Sequence, residues 1–112
     1  MTDKQLLKTA TSFTKGLLGK RNSVGWCYGV SFSLQSYLRM CNFKTEIIEG
    51  EIKTNIGLHQ HFWLKLDDGR ILDATADQFN SHKIPSQMPR IYLGEKPKYY
   101  KPLTKKICNT LS

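Results

Sequence analysis

A chain of 112 residues has room for one compact domain with one modest core, which excludes multi-domain and repeat architectures. With 39% hydrophobic and 23% charged residues the balance is that of an ordinary globular protein. No apolar run approaches the roughly 18 residues of a transmembrane helix, so no membrane association is expected. The net charge of +8 reads first as a solvated surface and second as steering toward an acidic protein partner or substrate. Nucleic acid is not an expected partner. Lys96-Pro97-Lys98-Tyr99-Tyr100-Lys101 mixes cations with stackable rings, but no nucleic-acid motif accompanies it.

Three cysteines make an odd count without framework spacing, which suits a reducing compartment. The N-terminus lacks the continuous apolar stretch of a signal peptide. The expectation is a soluble cytoplasmic protein with one domain over 1–112, a core at about 23–95 and a basic tail at 96–112.

Residues 2–18 read as an amphipathic helix. Thr2-Asp3-Lys4-Gln5 fits a capping box, Leu6, Ala10, Phe13 and Leu17 form the stripe, and Gly19 suits the C-cap. Its basic composition also resembles a targeting or membrane-surface helix. Packing against the core is preferred, because so small a domain can hardly spare a helix. After the polar loop Lys20–Val24, a second helix runs from Cys27 to about Cys41. Cys27, Val30, Leu34, Tyr37, Leu38 and Cys41 share one stripe, and Phe32 falls well off it. Cys27 lies in the first turn, where unpaired N–H groups and the helix dipole favour a thiolate. Cys41 and Cys108 read as small apolar fillers.

Lys44–Ile52 reads as a strand, with Gly50 marking a bulge or a close approach. Lys53–Leu58 reads as a loop. Two runs, 61–66 and 70–75, then flank the turn signal Asp67-Asp68-Gly69 and predict a β-hairpin. A two-residue turn would pair Leu64 with Asp73 and put Asp73 on the Phe62/Leu64/Leu66 face, away from His61. A three-residue loop pairs Trp63 with Asp73 and brings Asp73 diagonal to His61 on one face. The three-residue loop is preferred. Gly69 then occupies its positive-φ position, and Phe62, Leu64, Leu66, Leu72 and Ala74 gather on one apolar face. If Asp73 faced the other way, Asp77 or Gln78 would be next to orient His61. A polar loop follows at Asn80–Pro89, then a short strand at Ile91–Leu93. The tail closes with a helical turn.

Gly25-Trp26-Cys27-Tyr28 opening a helix, His61-Phe62-Trp63 opening a strand and Asp73-Ala74-Thr75 on the next strand resemble the transglutaminase-like branch of the papain-like cysteine enzymes. The resemblance covers about Gly25 to Gln78. It implies an α+β fold of the papain/transglutaminase-like kind, with N-terminal helices, including the nucleophile helix, packed on a small antiparallel sheet. It further implies thiol-dependent acyl transfer on protein amide bonds, as a peptidase, a glutamine deamidase or a transglutaminase. Cys27 would be the nucleophile, His61 the general base and acid, and Asp73 the group that orients His61. Asn22 is where such enzymes often place an amide that helps bind the oxyanion, with the Cys27 N–H as the other donor. Trp26, Tyr28 and Trp63 would wall the cleft or serve as plain packing. The substrate would be a protein or peptide, the charge allowing it to be acidic, and no cofactor or metal is expected.

Each residue alone also has an ordinary explanation: a core cysteine, a satisfied strand histidine, an aspartate capping a turn. Their concurrence favours catalysis. Two other classes stand beside it. One is a zinc-type site on Cys27, His59 and His61, with the two imidazoles at i and i+2. The other is a non-catalytic interaction module or inhibitor that keeps the fold.

Overall fold

The computed structural model describes residues 1–85 and 87–103. Two helices, α1 (Asp3–Leu18) and α2 (Cys27–Met40), pack on a five-stranded sheet. The strands are β1 (Glu46–Thr54), β2 (Gly57–Lys65), β3 (Ile71–Asp73), β4 (Tyr92–Gly94) and β5 (Tyr100–Pro102), and a 3₁₀ turn covers Ala76–Phe79. Their order is β4-β3-β2-β1-β5, and every pairing is antiparallel. No helix among the described residues is long and apolar enough to cross a membrane.

The α1 capping box forms as expected: Thr2 caps the helix, its hydroxyl accepting from the Gln5 N–H while the Gln5 side chain accepts from the Thr2 N–H. The buried stripe is Leu6, Ala10, Thr14 and Leu18, one residue later at its C-terminal end than the expected Phe13 and Leu17. Phe13 instead stacks on Tyr37 of α2, ring centroids 5.2 Å apart, at the rim of the helix pair. On α2 the buried residues are Val30, Ser31, Leu34 and Leu38. Cys41 is exposed, not a core filler. The helix has ended, the chain turns through Asn42 at φ 61°, and Phe43 packs against the core. Cys108 lies outside the described residues, as does the expected helical turn of the tail.

Strand alternation divides the interior in two. Leu64, Leu66, Leu72 and Ala74 meet the helix residues Leu6, Ala10, Leu18, Val30, Leu34 and Leu38. On the opposite face Ile52, Trp63, Ile71, Ala76, Phe79, Met88 and Tyr100 form a second cluster. The expected loop Lys53–Leu58 is instead the tip of a long β1–β2 hairpin, with Thr54 opposite Gly57. Only Asn55-Ile56 turns the chain, so Gly57 at φ 127° and Leu58 already belong to β2. The basic tail also differs from expectation. It enters the sheet at Tyr100–Pro102, pairing with β1.

Gly50 is a close approach. A Cβ there would meet the Lys101 carbonyl oxygen at 2.7 Å and the Trp63 ring closer still. Gly50→Ala should therefore cost about 1–3 kcal/mol through overpacking, since one obstacle is backbone and the other a buried ring. A lowered urea midpoint with unchanged slope is the expected readout.

Candidate active site

Leu64 pairs with Leu72 and Lys65 with Ile71. The Leu66 N–H donates to the Arg70 carbonyl at 2.8 Å, which leaves Asp67-Asp68-Gly69 as the loop. Gly69 has φ 91°, a conformation that glycine adopts without strain. Asp68 closes the loop further, its Oδ1 accepting the Arg70 N–H at 3.0 Å. In this register Asp73 comes to the His61 side of the hairpin. His61 Nε2 and Asp73 Oδ2 lie 2.6 Å apart, and both residues are fully buried.

Asp73 receives donors on both oxygens. Besides His61, Oδ2 accepts the Tyr100 hydroxyl at 2.6 Å. Oδ1 accepts the Thr75 N–H at 3.0 Å and the Thr75 hydroxyl at 3.4 Å. The Asp-x-Thr spacing thus has a local reason: Thr75 is within reach of its own backbone neighbour's carboxylate. Tyr100 comes from the last described strand and was not among the expected site residues. Its ring packs edge-on against Trp63 and His61, with centroids 5.0 and 5.9 Å away. The one hint in the sequence was Tyr99-Tyr100-Lys101-Pro102, β-forming rings ahead of a proline that only an edge strand tolerates.

Burial alone would push His61 toward its neutral form, and that is the largest influence on it. The Asp73 carboxylate opposes it by charge and by hydrogen bond, Cys27 adds to Asp73, and the imidazole is held up at about 9. Burial and then the Asp73 charge push Tyr100 well above the ordinary phenol range, so its hydroxyl remains a donor to Asp73.

Cys27 opens α2 as expected, through a turn in which the Trp26 N–H donates to the Ser23 carbonyl at 3.1 Å. Gly25 holds φ 80° in that turn, a physical reason for glycine two residues before the thiol. The N-cap residue Trp26 makes no side-chain cap, so no capping oxygen takes the first N–H groups of α2. The thiol is partly buried and acts on the His61 imidazole, helping to hold its proton. The imidazole's other nitrogen, Nδ1, is buried and has no partner among the described residues.

The flanking residues divide. Asn22 is exposed, and its Oδ1 accepts the Val24 N–H at 3.1 Å, shaping the approach to α2. The Arg21 guanidinium lies 5.1 Å over the Trp26 ring. Tyr28 is exposed and packs edge-on against Phe62. Trp63 is 1% exposed and lies in the core beside His61, so it supports the imidazole and walls no cleft. Asp77 lies 3.7 Å from Arg90. His59 Nε2 is 2.8 Å from the Thr54 hydroxyl, and His61 Nε2 is committed to Asp73. Among the described residues no three His, Cys, Asp or Glu are placed to hold a metal ion, so Cys27, His59 and His61 do not form the zinc-type set.

Beside the site runs a groove of about 480 Å³ between Val24-Gly25, the start of β2 and the segment around Phe79. Comparison of the chain with protein-family models, with curated proteins and with solved structures finds no match to any of them.

Proposed function

We propose that this protein is a thiol-dependent acyl-transfer enzyme of the transglutaminase-like, papain-like kind, acting on protein amide bonds. The observation that carries the reading is the buried 2.6 Å His61–Asp73 pair, whose imidazole also feels the thiol at the uncapped start of α2. A buried charged pair with four donors on its carboxylate is costly to assemble for packing alone.

In the reaction, the Cys27 proton passes to His61, and the thiolate attacks the amide carbonyl carbon. The carbonyl π electrons move to oxygen, and the free N–H groups at the start of α2 hold that oxyanion. As the carbonyl re-forms, His61 gives its proton to the leaving nitrogen, the C–N bond breaks and a thioester remains. Water or an amine then attacks the thioester, His61 takes its proton, and Cys27 sulfur departs and is reprotonated. Asp73 keeps the imidazole in the right tautomer and stabilises its cationic form.

A second reading, a non-catalytic binding module, draws on an exposed apolar row along α2: Tyr28, Phe32 and Met40 are 42%, 52% and 82% exposed. One experiment separates them: mass spectrometry of candidate protein substrates after incubation with wild type or Cys27→Ser. A gain of about one dalton on a glutamine marks deamidation, a cut chain a peptidase and a cross-link a transglutaminase, each lost with the thiol. Binding that survives Cys27→Ser with no covalent change in the partner would sink the enzyme reading.

A further inference from the structure

The groove beside the triad has a chemistry of its own. One wall is Val24-Gly25, the residues just before the Cys27 turn, and another is His59-Gln60, just before His61. A chain whose carbonyl sits between thiol and imidazole therefore continues into it. Among the described residues no Asp or Glu lines the groove, although the nearby carboxylates Glu49 and Asp77 are engaged elsewhere: Gln60 donates to Glu49 at 2.6 Å, and Arg90 lies 3.7 Å from Asp77.

One side chain of the groove has an uncommitted hydrogen-bonding group among the described residues. His82 stacks on His59, ring centroids 5.1 Å apart and 18° from parallel, yet no hydrogen bond holds either His82 ring nitrogen among the described residues. An imidazole has an N–H to donate in either protonation state. A peptide with an acidic side chain supplies the partner, its carboxylate accepting from His82.

We propose that this groove is the subsite for an acidic residue next to the reacting carbonyl of a protein substrate, with His82 as the specificity-determining residue and His59 as its stacking support. The assignment rests on Cys27 being the nucleophile. The anion is then selected where it docks, besides being attracted from afar by the net charge of +8.

Two probes of equal size test it, bromoacetyl-Glu amide and bromoacetyl-Gln amide. Each alkylates the thiol by displacement of bromide, and labelling of Cys27 and Cys41 is followed by mass spectrometry at pH 7. The Glu probe should label Cys27 about fivefold faster than the Gln probe, the size of one charge-assisted contact in a partly open site. His82→Gln should bring that ratio near one. His82→Arg should keep it, and Lys8→Gln, which removes a charge from α1, should leave it unchanged. Equal wild-type rates, or a preference that survives His82→Gln, would overturn the subsite. Cys27 labelling more slowly than Cys41 with the neutral Gln probe is a different failure. It would overturn the nucleophile reading and the subsite together.

Discussion

Asp73→Asn should lower turnover by about 10³–10⁴-fold, the scale of loss when a triad carboxylate becomes an amide. Every group that meets Asp73 is a donor: His61 Nε2, the Tyr100 hydroxyl, and the Thr75 N–H and hydroxyl. An amide offers an acceptor on one side only, and its NH₂ must face a donor on the other. If it faces His61, the imidazole has to present Nε2 as an acceptor, which moves the proton to Nδ1 and reverses the tautomer needed toward Cys27. Iodoacetamide labelling of Cys27 should slow less than turnover, because labelling needs the thiolate but not the acid step. Tyr100→Phe removes a single donor and should cost about tenfold in turnover, the size of one buried hydrogen bond. Turnover close to wild type in Asp73→Asn would remove Asp73 from the reaction.

Between pH 6.5 and 9 the folded protein should lose stability on the order of 3 kcal/mol through His61 alone. The unfolded chain releases the imidazole proton near the ordinary value of 6.5, whereas the folded protein holds it to about 9. Below 6.5 both states carry the proton and the stabilisation is complete. Through the window the unfolded state binds fewer protons than the native one, so stability falls as pH rises, and the contribution is gone above 9. Urea unfolding across this range in Cys27→Ser, which removes thiol titration, should show the fall. The same measurement in Cys27→Ser with His61→Gln should show a flatter dependence. Parallel slopes in the two proteins would mean that Asp73 does not hold a proton on His61.

The hairpin and its consequence could be read from the residues because their determinants are close in sequence. Gly69 admits the positive φ of a three-residue loop, and one residue of register decides which face Asp73 occupies. Cys27 at the start of a helix follows from apolar periodicity, and Gly25 turns the chain just before it. Tyr100 was beyond such reasoning. It reaches Asp73 only because β5 adds to the free edge of β1, a pairing between segments some fifty residues apart that no local pattern encodes. Trp63 reads from its neighbours as a cleft wall or as plain packing, and the gap left by Gly50 on the adjacent strand decides for the core. Cys41 fits the helix stripe by angle, yet α2 stops first, and where a helix stops depends on what can fold back over its end. The protonation of His61 is likewise a tertiary property. Burial and the Asp73 carboxylate act on it in opposite directions, and only the packed site sets which prevails.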